Sequence, residues 1–121
     1  MAHQRYAILH HKLPDSEHWD LLLEDGNMLA AWQLAGKPTG PQALPLAATR
    51  IADHRKKYLV YEGPISGNRG HVVRFDHGHY RVLERDEHRW VVHLTGQILF
   101  GRFGLVRSPE DPPEAWVLTT A

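Results

Sequence analysis

Apolar residues recur mostly at every second position or in short runs, and Gly, Pro and Asp residues bound these runs. Because no stretch of the sequence keeps helical periodicity over three turns, the pattern predicts a mostly β protein. Strands are expected over residues 6–10 and 18–24. The residues Asp25-Gly26-Asn27 then predict a tight hairpin to a partner strand over residues 28–34.

The second half of the chain shows the same alternation between turn signals. Further strands are predicted at six places, residues 58–62, 71–76, 79–84, 90–95, 98–106 and 115–119. Residues 36–45 contain three prolines and two glycines and predict a loop. The stretch 46–57 is ambiguous: residues 46–51 fit a strand, and Asp53 fits the cap of a short helical turn before Tyr58.

These elements fit one domain over residues 1–121. Eight or nine short strands separated by turn signals are typical of a barrel or a sandwich. We therefore predict a small antiparallel β-barrel with short helical turns and a Pro/Gly-rich loop. A cupin-like double-stranded barrel is the alternative architecture.

Composition excludes several classes of protein. The chain has no cysteine, which rules out disulfides, thiolate nucleophiles and cysteine-based metal sites. No apolar run is long enough to cross a membrane and the first residues lack the apolar core of a signal peptide, so we expect a cytoplasmic protein. The 14 basic and 14 acidic residues cancel, although residues 50–89 carry nine basic against six acidic residues and leave room for a local basic face.

Ten histidines stand out in a chain of this length, and they do not form one tract. Side chains two positions apart on a strand project from one face, so His18 and Asp20 point the same way. His10 or His11, at the end of the preceding strand, can complete a site for a divalent metal. The alternative is a hydrogen-bonded polar pair on a solvated face.

Two further groups of residues could carry chemistry. Asp53 and His54, followed by Tyr58, offer a carboxylate, an imidazole and a phenol within one short segment. His77-Gly78-His79 with Glu84 has the spacing of the cupin metal motif and would serve a cupin-like metal enzyme acting on a small molecule. Because Gly78 fits a hairpin turn, these histidines are expected to face water.

Several segments, in this order, resemble the 3′-phosphoesterase domain of bacterial DNA ligase D, the repair ligase of non-homologous end joining. The matching segments cover roughly residues 5–119: Tyr6-Ala-Ile-Leu-His-His11, His18-Trp-Asp-Leu-Leu-Leu-Glu-Asp-Gly26, Met28–Trp32, Asp53-His54 with Tyr58 and Tyr61-Glu-Gly63, Gly96–Arg107, and Trp116-Val-Leu118. This chain has one residue more between His11 and His18 than the family, which leaves His10 as the alternative metal histidine.

The resemblance implies a small antiparallel β-barrel with a polar groove and a metal enzyme that trims ribonucleotides and phosphates from DNA 3′ ends. His11, His18 and Asp20 would hold the metal, and His54 and Tyr58 would contact the scissile phosphate. Manganese is the implied metal, with zinc or cobalt as alternatives. The implied partners are DNA ends, including ends that carry a ribonucleotide, together with a separate ligase and polymerase.

The chain departs from the family at positions that would contact phosphate. Leu22 stands where the family has an arginine, and the family's lysine is offset to Lys37. A leucine cannot clamp phosphate oxygens, so another cation has to face the phosphate. The nearest candidates are Arg50, Arg55 and Arg69. A weakened enzyme, or a module of the same fold that only binds DNA ends, is the alternative function.

Overall fold

The computed structural model describes residues 4–121, with nine strands in that part of the chain. The strands are β1 (Gln4–Lys12), β2 (Glu17–Asp25), β3 (Met28–Leu34), β4 (Leu46–Arg55), β5 (Gly63–Pro64), β6 (His71–Arg85), β7 (Arg89–Gly96), β8 (Phe100–Val106) and β9 (Ala115–Thr120). Two short 3₁₀ turns, η1 (Pro41–Ala43) and η2 (Lys56–Leu59), lie on either side of β4. None of the helices within residues 4–121 has the length and apolar character needed to span a bilayer.

Eight of these strands form a closed antiparallel barrel. The neighbours run in the order β1-β2-β3-β4-β9-β8-β7-β6, and pairing of β1 with β6 closes the ring. The two-residue strand β5 adds to the start of β6. The predicted antiparallel barrel is confirmed, as are the hairpin at residues 25–28 and the strand at residues 46–51.

The barrel interior is packed with aromatic and aliphatic side chains. The Trp32 ring is completely buried and meets the rings of Trp90 and Trp116 edge to face, at centroid distances of 5.2 and 5.7 Å. The guanidinium of Arg50 lies 4.5 Å from the Trp32 ring centroid and that of Arg85 lies 3.8 Å from the Trp90 centroid. Side chains therefore fill the interior of this eight-stranded barrel.

A second apolar cluster lies on the outer face of β1–β3. Its buried members are Ala7, Leu9, Leu22, Leu29, Ala31, Leu59 and Val72. Residues 58–65 cover this cluster, since Tyr58, Tyr61 and Ile65 pack against it. The segment after β4 is therefore held against the barrel wall by apolar contacts, and this positions the residues of the candidate site.

The predictions for residues 53–62 were wrong in two places. The segment 58–62 was predicted to be a strand, but residues 56–59 form η2 because this turn places Leu59, 4% exposed, over the outer cluster. Asp53 does not cap that turn. It lies within β4, which continues to Arg55, and its carboxylate pairs with Arg50 at 3.2 Å.

The predicted turn at His77-Gly78 was also wrong, because β6 runs unbroken through these residues. A side chain at position 78 would place its Cβ 2.0 Å from the Thr95 carbonyl oxygen, so glycine allows close strand pairing here. The cupin alternative is not supported either, because it requires His77 inside the barrel. His77 is exposed, and Glu84 pairs with Arg89 at 3.5 Å.

Asp76 organises the turn that joins β7 to β8. Its carboxylate is 1% exposed and accepts backbone N–H bonds from Gln97, Ile98 and Leu99 at 2.8 to 3.0 Å. The Tyr6 hydroxyl also donates to it, at 2.7 Å. Four donors therefore depend on one buried carboxylate.

Asp76→Asn should lower the free energy of unfolding by about 2 to 6 kcal/mol. The amide of asparagine retains one acceptor but turns donors toward Leu99 and Tyr6, and each unpaired buried group costs about 1 to 3 kcal/mol. Urea unfolding measures the loss. Asp111→Asn, in an exposed loop, is the matched control, and an equal loss in both variants would contradict this role of Asp76.

Candidate metal centre

The barrel wall brings three ligand side chains together. His11 lies directly opposite His18 in the β1–β2 pairing, and Leu9 lies opposite Asp20. Since outward positions alternate along each strand, His11, His18 and Asp20 share the outer face. One potential ligand atom from each lies within 4.8 Å of the others, and these three residues are called the candidate metal group below.

The structure places His11, and not His10, in this group. His10 points the opposite way, where it stacks on Trp19 at 4.7 Å and its Nε2 lies 2.7 Å from Glu17 Oε1. His11 Nε2 lies 2.7 Å from the backbone carbonyl oxygen of Arg69. Because a carbonyl only accepts, Nε2 donates this hydrogen bond, and in the neutral ring Nδ1 then presents its lone pair, the form required of a metal ligand.

Asp20 carries the clearest sign that this group can accept a cation. Its side chain is only 5% exposed, and Oδ1 lies 3.3 Å from His18 Nε2 without hydrogen-bond geometry, which leaves Oδ1 unpartnered among residues 4–121. Burial raises the pKa of the Asp20 carboxyl and lowers the pKa of the His18 imidazole. A divalent cation would offset the cost of burying the carboxylate and would bind the neutral imidazole.

The candidate metal group opens into a cavity of about 280 Å³ on the outer face. The lining residues are Leu9, His11, Asp20, Ala52, Asp53, His54, Arg55, Tyr58, Ile65, Arg69 and Val72. A bulge in β4 shapes its rim, because Ala31 pairs with Ile51 whereas Leu29 pairs with His54, one residue out of step. The bulge inserts the extra residue that directs the end of β4 into the cavity.

His54 and Tyr58, predicted as catalytic residues, both line this cavity. The His54 Nδ1 atom lies 2.9 Å from the Ala52 carbonyl oxygen, so Nδ1 carries the hydrogen and Nε2 remains for a ligand. The rings of His54 and Tyr58 meet edge to face at 5.8 Å. An imidazole nitrogen and a phenol hydroxyl are therefore available on the wall that contains the end of β4.

Arg69 reaches the cavity from the loop between β5 and β6. Its Nε donates to the Ser66 carbonyl oxygen at 2.7 Å, and its own carbonyl orients His11. The loop approaches β1 closely because Gly70 has φ of 77° and a Cβ there would meet the Lys12 carbonyl oxygen at 1.9 Å. This backbone contact to His11 was missed from the sequence, where the Gly-rich segment gave the only signal.

Two of the four predicted substrate-binding cations line the cavity, namely Arg55 and Arg69. The other two, Arg50 and Lys37, lie outside its lining among the residues described. Arg50 covers the tryptophans at the barrel end, and Lys37 Nζ lies 5.8 Å from the centroid of the Phe75 ring. The cavity thus combines a potential cation site with two arginines.

Leu22 is fully buried although it shares the face of Asp20. It lies between Ala7 of β1 and Ala31 of β3, in the cluster that Leu59 covers. Position 22 therefore serves apolar packing beneath the cavity. Leu22 makes no polar contact with an anion in the cavity, so such contacts have to come from lining residues such as Arg55 and Arg69.

Glu24 links η2 to the barrel wall. Its carboxylate accepts a 2.9 Å hydrogen bond from Arg5 Nη2 and lies 3.2 Å from Lys56 Nζ. The hydrogen bond from Arg5 is the main reason why the pKa of Glu24 falls to about 2, and Lys56 contributes to the lowering. The ion pairs hold the turn that carries Tyr58.

Lowering the pH should therefore remove a stabilising contribution that the Glu24 carboxylate makes in wild type and that Glu24→Gln lacks. A carboxyl whose pKa is lowered by folding stabilises the folded state above its usual pKa of 4.5 and loses that contribution as the pH falls through 2. In urea unfolding, the advantage of wild type over Glu24→Gln should be constant above about pH 5 and shrink toward pH 2. Glu114→Gln, in an exposed loop, is the control. An advantage over Glu24→Gln that stayed constant down to pH 2 would be inconsistent with the ion pairs.

Comparison with known proteins identifies one family. The family model described as the DNA Ligase D 3′-phosphoesterase domain matches residues 9–107 of this chain. The matched range includes the candidate metal group and every residue that lines the cavity. No curated protein matches the chain.

Proposed function

The chain belongs to the DNA ligase D 3′-phosphoesterase domain family, and we propose that it is a metal-dependent enzyme that removes a terminal ribonucleotide or a phosphate from DNA 3′ ends. The observation that carries this proposal is the cavity itself. His11 and the buried Asp20 line it on one side, with the ligand atom of His18 within 4.8 Å of theirs, and His54, Tyr58 and two arginines are among its other lining residues.

His11, His18 and Asp20 would hold the metal. Two imidazole nitrogens and a carboxylate suit manganese, zinc or cobalt, and we propose manganese. When bound, such an ion supplies a Lewis acid for a phosphate oxygen and favours ionisation of a water molecule. Oδ1 of Asp20 supports this assignment because it is a buried carboxylate oxygen without a hydrogen bond from residues 4–121.

The side chains on the cavity wall would act on the phosphate. In hydrolysis of a terminal ribonucleotide, the oxygen of water bonds to phosphorus while the bond from phosphorus to the 5′ oxygen of the terminal nucleoside breaks. His54 Nε2, when protonated, can stabilise the phosphate or give its proton to the leaving oxygen. Tyr58 orients the phosphate by a hydrogen bond, and Arg55 and Arg69 balance its charge.

A binding module is the second candidate function, and Leu22 favours it. The position that resembles the family's phosphate-clamping arginine is here a buried leucine in an apolar cluster. In that case the cavity would hold a DNA 3′ end without hydrolysing it. A separate polymerase and ligase would act on the end in either case, since these enzymes extend and join 3′ hydroxyls.

An assay on a primer–template ending in one 3′ ribonucleotide separates the two functions. With Mn²⁺, wild type should release the terminal nucleoside and then the phosphate, and His54→Ala should lose about 100- to 10,000-fold in rate, the usual range for a general acid or base. Binding of the primer–template by wild type without release would support the binding module. Equal rates for wild type and His54→Ala would contradict the enzyme proposal.

A further inference from the structure

The outer face of β6–β8 carries a row of basic and aromatic side chains away from the cavity. In the strand register Arg81 lies opposite His93, and His93 lies opposite Arg102. The adjoining row places His79 opposite Thr95 and Thr95 opposite Phe100. These six residues, together with His77 on β6, are called the basic face below.

The basic face has no acidic residue at its outward positions. Arg81 and Arg102 are exposed, and neither forms an ion pair within residues 4–121. By contrast, Arg89 at the far end of β7 pairs with Glu84. The molecule is neutral overall, so this local excess of positive charge is a property of the face and not of the whole chain.

The face also exposes a ring to solvent. Phe100 is 67% exposed, and its ring meets that of His93 edge to face at 5.6 Å. Beside it, His79, Arg81 and His93 border a depression of about 310 Å³. Two arginines without an ion pair and histidine rings that can donate to oxygen, next to an exposed aromatic ring, suit a nucleic-acid backbone.

His79 and His77 connect the basic face to a second depression of about 140 Å³, which Arg5, Arg74 and Val60 also border. Val60 directly follows η2, and Tyr58 within η2 lines the cavity of the candidate metal group. The depression bordered by Val60, Arg74, His77 and His79 therefore lies between η2 and the β6–β8 face.

We propose that the basic face binds the phosphate backbone of the same DNA whose 3′ end enters the cavity. This inference rests on the proposed function. Val72, opposite His11 on β6, and Arg81 are nine residues apart, so the two sites are separated by at most about 30 Å. That length corresponds to about nine base-pair steps of 3.4 Å, which places the contact several base pairs from the 3′ end.

Hairpin DNAs with stems of 5 and 18 base pairs and the same 3′ ribonucleotide end test this proposal. A stem of 5 base pairs spans about 17 Å, shorter than the length of about 30 Å that nine residues of β6 cover, whereas a stem of 18 base pairs exceeds that length. Binding is followed by fluorescence anisotropy in EDTA for wild type, Arg81→Gln, Arg102→Gln and the control Arg89→Gln. All three variants remove one charge from an exposed position.

Arg81→Gln and Arg102→Gln should each weaken binding of the long stem by about eightfold in 0.1 M salt, and each should reduce the salt slope by about 0.9. Binding of the short stem should not change, and Arg89→Gln should behave as wild type with both hairpins. Equal affinities in all variants, or equal losses on both stems, would overturn the inference.

The same experiment keeps this inference apart from the proposed function. If wild type releases the terminal nucleoside in Mn²⁺ but the variants bind DNA as wild type does, the proposal that the basic face binds DNA is wrong and the proposed enzyme activity is supported. If the substitutions weaken binding of the long stem only and no nucleoside is released in Mn²⁺, DNA binding by the basic face is supported and the proposed enzyme activity is wrong.

Discussion

Replacing His18 by alanine should abolish Mn²⁺ binding and the activity that depends on it. His18 supplies one of three ligand atoms that lie within 4.8 Å of one another, and Asp20 Oδ1 faces it at 3.3 Å. Loss of an outer partner of a metal ligand already costs about 10- to 100-fold in affinity, so loss of a ligand should exceed about 100-fold. Isothermal titration with Mn²⁺ measures the change.

His10→Ala is the matched control for this prediction. It removes an imidazole from the same pair of strands, but His10 stacks on Trp19 on the other face. Metal affinity in His10→Ala should equal that of wild type. If His77→Ala removed Mn²⁺ binding and His18→Ala did not, the metal would lie at the residues of the cupin-like motif and the candidate metal group would be wrong.

Arg69→Ala should lower the rate of nucleoside release by about 100- to 1,000-fold, because one charge-assisted contact to a developing anion contributes about 2.7 to 4 kcal/mol. Mn²⁺ affinity should hold, since His11 is oriented by the backbone carbonyl of Arg69, which the substitution retains. Single-turnover rates and Mn²⁺ titration of the same samples separate the two effects.

Arg50→Ala controls for the loss of an arginine outside the cavity. Arg50 pairs with Asp53 and covers Trp32, so its removal should leave the chemical step unchanged. If wild type were fast and both Arg69→Ala and Arg55→Ala kept its rate, neither arginine would replace the family's clamp. The activity of a chain with Leu22 in place of the family's arginine would then not be explained by a neighbouring cation that replaces it.

Local rules predicted the elements of this fold well where neighbours in sequence are also neighbours in space. The Asp25-Gly26-Asn27 signal gave the β2–β3 hairpin, and strand alternation placed His18 and Asp20 on one face. The choice between His10 and His11 could not be made in this way. Adjacent strand residues face opposite sides, and only the β1–β2 register places His11 opposite His18.

Tertiary packing decided the features that the sequence did not reveal. Residues 56–59 form a 3₁₀ turn because Leu59 covers the outer cluster. Strand β6 continues through Gly78 because this residue pairs with β1 on one side and with β7 on the other. The bulge in β4 places His54 opposite Leu29 of the outer cluster, a register shift that no local pattern announces.

The most direct test of the central proposal is the rate of nucleoside release measured against the amount of metal bound. Metal-free protein is titrated with Mn²⁺, and bound metal and single-turnover rate on the 3′-ribonucleotide primer–template are measured in each sample. We predict that the rate rises in proportion to bound Mn²⁺ and levels off at one ion per chain, and that His18→Ala stays inactive throughout. Full activity in metal-free protein, or activity that does not follow bound metal, would contradict the proposal.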